Sequence, residues 1–313
     1  MSEGSTRLSS QDAATCKLSA IRAGYLEDDY LSIFHHSTLK KMPIMNRGTY
    51  ARVKCISLLV DQFLSQTTEF PKQVIILGCG IDSLGLNLMK QYSDIRIFEV
   101  DFEDTIEYKL RCMFKEADML RSHWPSYSLS GSQYGPLTMI GGDLRHPQQI
   151  MSSLLQYSCD SSLPTLIISE CVLVYLQKDH CFDLLQTLAH HFHDAAFISY
   201  DMLNPNDRFG YIMQQNIAYA GYNVPGFHDF PSLESQELKF VSTNWSSVKA
   251  ITMLQAYDTL ISKEEQKRVS RLEIFDEIEE WQMLMCHYSL TLAVRGSTLS
   301  ALMQYFCENT HSH

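Results

Sequence analysis

From residue 73 onward the chain alternates short apolar runs with longer stretches whose apolar positions recur at helical spacing. Residues 74–77, 95–100, 137–140, 165–169 and 196–200 are brief and rich in Ile, Val and Phe, which predicts strands buried on both faces. Between them, residues 102–115, 147–157 and 179–191 carry a helical period, with Leu184, Leu185 and Leu188 on one face. Further along, residues 207–219 and 262–282 read as helices, 247–251 as a strand and 285–294 as a long final strand. This alternation, with about seven strands, predicts an α/β fold in which a doubly wound, mostly parallel sheet is covered by helices on both sides.

Ahead of the first strand, residues 50–63 predict a helix and residues 11–46 a helical N-terminal extension. No repeat, low-complexity tract or Pro/Gly-rich linker divides the 313 residues. The expectation is therefore one domain spanning 1–313, with residues 1–48 as an extension or lid over a ligand crevice.

Ligands of such sheets bind at the carboxyl ends of the strands, so the strand-end residues carry the chemistry. The first strand runs into Leu77-Gly78-Cys79-Gly80-Ile81-Asp82-Ser83, where glycines allow a tight turn and close backbone approach. Position 83 is Ser where the dinucleotide fingerprint has its third Gly, which argues against pyrophosphate binding. The second strand ends at Asp101, 21 positions after Gly80, the spacing of an acidic residue that accepts ribose hydroxyls; its competing use is to cap the next helix. Asp143 beside Leu144 ends the third strand and could read an adenine edge and face, and Glu170 ends the fourth. A nucleoside site without a pyrophosphate fingerprint points to S-adenosylmethionine. Its carboxylate calls for a cation, for which Arg52 and Lys17 are the candidates.

Composition narrows the class further. Lys plus Arg number 25 against 36 Asp plus Glu, a formal charge of −11 with a pI near 5.5, which gives no general support to phosphate-backbone binding. Nine Cys occur without a C-x-x-C pair, the N-terminus lacks a signal-peptide run, and no stretch is apolar enough to span a bilayer. The expectation is a cytoplasmic monomer with reduced thiols. His190, His191 and His193 close a helix-like run and are read as complements to its C-terminal dipole, so no metal is assigned.

Ordered blocks along nearly the whole chain resemble the leucine carboxyl methyltransferases. They are Asp12-Ala13 with Cys16-Lys17, Gly24-Tyr25, Asn46-Arg47-Gly48 with Ala51-Arg52-Val53, and Leu77-Gly78-Cys79-Gly80 with Asp82. They continue through Glu99-Val100-Asp101-Phe102, Asp143-Leu144-Arg145, Glu170-Cys171-Val172-Leu173-Val174-Tyr175, Asp207-Arg208-Phe209-Gly210 and Leu233-Glu234-Ser235-Gln236. The resemblance implies a class I S-adenosylmethionine-dependent methyltransferase fold. It implies cofactor contacts at Lys17, Arg52, Gly78, Asp101, Asp143, Leu144 and Glu170. The implied activity is methyl transfer to the C-terminal leucine carboxylate of the protein phosphatase 2A catalytic subunit. Two departures stand out: Cys79 where the family has Ala, and Ser83-Leu84-Gly85 where it tends to Thr and aromatic residues.

A terminal carboxylate, with a pKa of about 3.3 to 3.7, is already the anionic nucleophile at neutral pH, so no general base is assigned. Tyr175 and Arg208, both beyond strand ends, are expected to orient it, and the Gly-, Pro- and aromatic-bearing stretch 220–231 to lie near the substrate tunnel. Three rivals differ in class. One is the related tRNA wybutosine-synthesising carboxyl methyltransferase, opposed by the acidic composition and by the lack of repeats before His313. The others are a catalytically silent phosphatase-binding protein and an NAD-dependent enzyme.

Overall fold

Val74 and Ile76 pack on one side of the first strand while Ile75 and Leu77 pack on the other, so β1 (Lys72–Leu77) is buried on both faces, as its unbroken apolar run requires. The computed structural model describes residues 3–65 and 71–310, with side chains from residue 9 onward. Among them it has nine strands in one sheet. The others are β2 (Ile95–Asp101), β3 (Leu129–Ser130), β4 (Gln133–Tyr134), β5 (Leu137–Gly141), β6 (Thr165–Glu170), β7 (Ala195–Met202), β8 (Ser247–Thr252) and β9 (Tyr288–Arg295). Their order is β3-β4-β5-β2-β1-β6-β7-β9-β8, with β5, β2, β1, β6 and β7 parallel and β9 antiparallel between β7 and β8. This is the seven-strand class I methyltransferase arrangement with a hairpin added at one edge.

Two apolar layers sandwich the sheet. One joins Val74, Ile97, Met139, Ile168 and Ile198 to Leu59 and Phe63 of the long helix before β1; the other joins Leu77, Phe98, Ile167 and Phe197 to Leu184, Leu188 and Phe240 of helices on the opposite side. Registers Leu77↔Val100, Leu77↔Ser169, Asp101↔Gly141 and Glu170↔Tyr200 bring the carboxyl ends of five strands to one edge, on either side of the β1/β6 point where the winding reverses.

All seven expected strands are present, and the departures have identifiable physical causes. The β3–β4 hairpin turns at Gly131, with φ +58°, and its polar Ser and Gln content leaves no apolar alternation to read. The N-terminal extension is not helical throughout. It forms α1 (Glu3–Arg22) and the short α2 (Leu31–Phe34), then an irregular connector over 35–42. Arg22 donates to the carbonyls of Ser37 and Leu39, and Ser19 Oγ accepts from Lys41 N at 2.8 Å, so α1 holds that connector extended. The helix expected at 50–63 begins at Pro43 as α3 (Pro43–Ser65), which places the boundary at residue 48 inside it.

The stretch 262–282 is two helices, Lys263–Val269 and Ile278–Cys286, and the second takes up the residues expected to begin β9. The break is tertiary in origin. Glu273 accepts from Asn46 Nδ2 at 3.0 Å, and Phe275 lies 4.8 Å beneath the Arg47 guanidinium, which also meets Trp281 at 4.8 Å.

The helix Leu233–Val241 is tied to β7 by a buried ion pair, Lys239 Nζ to Asp201 Oδ2 at 3.1 Å, with both side chains almost wholly buried. Removing one partner strands the other charge without water. Lys239→Met is therefore expected to lower the unfolding free energy by about 3–5 kcal/mol in urea titrations. Adding Asp201→Asn should recover part of it; a single-variant loss under ~1 kcal/mol would mean that Asp201 is solvated by other means.

Candidate active site

Gly78 and Gly80 follow β1 with φ of +62° and +52°, left-handed values that non-glycine residues adopt at a cost. The turn is clasped to β2: Gly78 N donates to Val100 O at 2.8 Å, and Gly80 N donates to Asp101 Oδ2 at 2.7 Å. Side chains are excluded on steric grounds as well. A Cβ on Gly78 would lie 2.4 Å from Val172 Cγ2, and one on Gly80 would lie 2.9 Å from Ser10 Cβ of α1. The resulting cavity, about 200 Å3, has the glycine turn as its floor, Asp101, Asp143, Leu144 and Glu170 on its walls, and Ser9, Ser10, Ala13 and Ala14 of α1 as its roof.

Most of the residues singled out in the sequence meet here. Gly78, Asp101, Asp143, Leu144, Glu170, Arg52 and Tyr175 all line the cavity. Asp101 stands one residue before the cap position of α4 (Glu103–Lys115), which is Phe102 and lacks a side-chain cap bond. The carboxylate of Asp101 instead takes two main-chain donors, Gly80 N and Phe102 N, each at 2.7 Å. With the Thr105 side chain also bonded to it, the carboxylate, which offers about four acceptor sites, keeps capacity for a ribose hydroxyl.

Two residues are placed elsewhere. Lys17 does not line the cavity: its buried ammonium bonds Asp28 Oδ2 at 2.9 Å and both oxygens of Asp82 at 3.0 Å, so its charge is compensated within the protein. Arg208 is exposed as the first residue of the helix Arg208–Tyr219 and does not line the cavity. Its neighbour Asp207, itself exposed, caps that helix by accepting from Gly210 N at 2.7 Å and bonds the buried His287 Nε2 at 2.9 Å; it does not line the cavity either.

The stretch 220–231 does approach the site. Tyr222 donates to Asp12 Oδ2 of α1 at 2.7 Å, and Gly226 packs against the carbonyls of the 3-10 turn Leu173–Tyr175. Sequence reasoning offered the N-terminal segment as a cover for the crevice but did not single out Ser9 and Ser10, which carry no pattern of their own. It also missed the buried pair Lys109–Glu99 at 2.7 Å, whose Lys109 Nζ further donates to Asp82 O. The cue there was a lysine between Ile106 and Met113 on the apolar stripe of a helix.

Residues 7–189 match the family model described as leucine carboxyl methyltransferase. The chain belongs to that family. It is 31% identical to the leucine carboxyl methyltransferase 1 homolog of Arabidopsis thaliana over 91% of this chain and 88% of that one, and 34% identical to leucine carboxyl methyltransferase 1 of Bos taurus over 92% and 89%. It is also 29% identical to tRNA wybutosine-synthesizing protein 4 of Homo sapiens, over 95% of this chain and 45% of that one.

The cofactor of a leucine carboxyl methyltransferase is S-adenosylmethionine, and the cavity's donor set fits it. Arg52 offers a buried Nε with no hydrogen-bond partner among the described residues, suited to a carboxylate. Its nearest charge is Glu170, with Oε2 at 3.4 Å from that Nε. Burial pushes the Glu170 carboxyl up, against the lowering pull of Arg52. Burial likewise raises Asp101, opposed by its main-chain donors. Asp143 goes the other way: burial would raise it, but the guanidinium and main-chain N–H of Arg145 hold it below the usual range. Among the described residues no group of three or more His, Cys, Asp or Glu is placed to hold a metal ion, and no helix is long and apolar enough to cross a membrane.

A carboxyl with a raised folded pKa binds more protons folded than unfolded between its two pKa values, so its contribution to stability falls as pH rises through that window and is level above it. The difference in unfolding free energy between the unsubstituted protein and Glu170→Gln should thus fall from about pH 4 until Glu170 is ionised, as read by urea titration. A difference that does not change with pH would show that Glu170 titrates normally.

Proposed function

We propose that this protein transfers a methyl group from S-adenosylmethionine to the C-terminal leucine carboxylate of the protein phosphatase 2A catalytic subunit, in the cytoplasm and as a monomer, giving a methyl ester. The observation that carries the reading is that Arg52, Glu170 and Tyr175 line one cavity with Asp101, Asp143 and the glycine turn, in a chain similar over nine-tenths of its length to leucine carboxyl methyltransferases.

Bound S-adenosylmethionine supplies an electrophilic methyl on a sulfonium centre. Asp101 would accept from the ribose hydroxyls, with its own orientation fixed by Gly80 and Phe102. Asp143 and Leu144 would meet the adenine edge and face, and Gly78 lets the backbone come close. Arg52 would hold the cofactor's carboxylate and Glu170 its ammonium. Lys17 acts one layer out, fixing Asp82 and Asp28 around the turn.

No residue has to remove a proton, since the nucleophile is already an anion. What the chain must do is align it and exclude water, which the α1 roof accomplishes at one end. Carboxylate and sulfonium neutralise each other during transfer, so a strong cation clamped on the nucleophile would stabilise the starting state more than the transition state. Tyr175, a neutral donor hydrogen-bonded with Ser9 of the roof, meets that requirement better than a free arginine would.

Radiolabelled methyl transfer is expected to label the intact phosphatase subunit in a base-labile manner and to leave the subunit without its final leucine unlabelled. Label on tRNA and not on the phosphatase would favour the wybutosine-related reading. Tyr175→Phe should lower kcat/KM on the order of tenfold through loss of a hydrogen bond to a charged group, while Arg208→Ala leaves it unchanged.

A further inference from the structure

We infer that Tyr200, backed by Tyr288, is a positioning residue that aims the Arg52 guanidinium at the carboxylate of the cofactor; the inference rests on the reading of Arg52 given above. Arg52 reaches the cavity from α3 on a long side chain, and its Nε is buried without a hydrogen-bond partner among the described residues. Glu170 lies at its edge, 3.4 Å from Nε. A single contact at 3.4 Å leaves a flat guanidinium free to rotate about that contact.

The second constraint is Tyr200. The Arg52 Cζ lies 5.8 Å from the centroid of its ring, within the range over which an aromatic face attracts a guanidinium. Glu170 and Tyr200 are register partners on β6 and β7, so the group that fixes the edge and the group that fixes the face occupy paired positions of neighbouring strands. Cys171 reinforces this pairing: its N–H donates to Tyr200 O at 2.7 Å, and it turns the chain immediately afterwards with φ +53°.

The ring has no freedom to retreat. Tyr288 of β9 stacks on Tyr200 with centroids 4.9 Å apart and planes 6° from parallel. The two are diagonal neighbours, since Tyr288 pairs with Met202 and Tyr200 with Leu290 across the antiparallel ladder. Tyr200 therefore transmits the position of β9 to Arg52 through ring contacts, a role in which its hydroxyl is dispensable and its flat face is not.

The test uses two ligands that share the nucleoside and the thioether. S-adenosylhomocysteine carries the amino-acid carboxylate, and 5′-methylthioadenosine lacks it. Calorimetric affinities for the full chain should show Tyr200→Leu weakening S-adenosylhomocysteine roughly tenfold while 5′-methylthioadenosine stays within about twofold; Tyr200→Phe should restore the ratio, and Arg52→Met should lower it at least as far. Equal weakening of both ligands by Tyr200→Leu would show a merely structural role and overturn the inference. If Arg52→Met collapses the ratio and Tyr200→Leu does not, the inference falls while Arg52 keeps its assignment; if Arg52→Met leaves the ratio intact, both fall. Should Tyr200→Leu bind neither ligand, Tyr288→Leu carries the same comparison, with selective loss of S-adenosylhomocysteine supporting the inference and equal loss overturning it. These ratios are independent of the methyl acceptor, so failure to methylate the phosphatase would not be mistaken for failure here.

Discussion

The bond from Gly80 N to Asp101 Oδ2, 2.7 Å long, is the contact on which the rest of the site depends. It joins the turn after one strand to the end of the next, and so converts two parallel strands of ordinary pairing into a fixed concave edge. It works only because Gly80 holds a left-handed conformation that brings its N–H round to the carboxylate. The same carboxylate takes Phe102 N, so the start of α4 is set by the same group that faces the cavity. The side chain is thus oriented before any ligand arrives, and none of its ordering has to be supplied by binding.

Beneath the turn lies an unusual concentration of buried charge. Lys17 bridges Asp28 and Asp82, and Lys109 bridges Glu99 and the main chain of Asp82, so both cations converge on one aspartate. Apolar replacements of equal shape would hold a turn as firmly or more so, since desolvating ions offsets much of their attraction. What charges add is direction: each ammonium is satisfied only when its set of oxygens converges on it, which favours one path for the loop between residues 78 and 85. The protein's overall acidity, −11, is consistent with a site that receives a cationic cofactor.

The sheet was legible because its signal is local. Short apolar runs separated by helical periods name the strands, and the strand-end rule then names Gly78, Asp101, Asp143 and Glu170 without any knowledge of contacts. What escaped was set by distant partners. Lys17 looked like a free cation until Asp28 and Asp82 were seen to surround it, and Arg208 looked like a site residue because its block is family-like, although that block serves to cap a helix through Asp207, which bonds the buried His287. The interruption of 262–282 follows from Asn46 and Arg47, more than two hundred residues earlier in the chain. The tyrosines at 200 and 288 read only as strand residues; their meaning lies in a stack across the ladder.

The roof of the cavity is a helix, not a loop, and that shapes turnover. A loop can part at its tip while its base stays put, but α1 carries Ser9, Ser10, Ala13 and Ala14 on one rigid rod pinned by Tyr222 and by Tyr175. Where α1 covers the cavity, widening the opening means shifting that rod as a unit, because the four residues sit on one helix. Chemistry that requires no proton transfer can be fast. In such a protein the contacts that hold the covering helix, Tyr222 with Asp12 and Tyr175 with Ser9, bear on the passage of cofactor, a step distinct from the one served by the residues that face the reacting atoms.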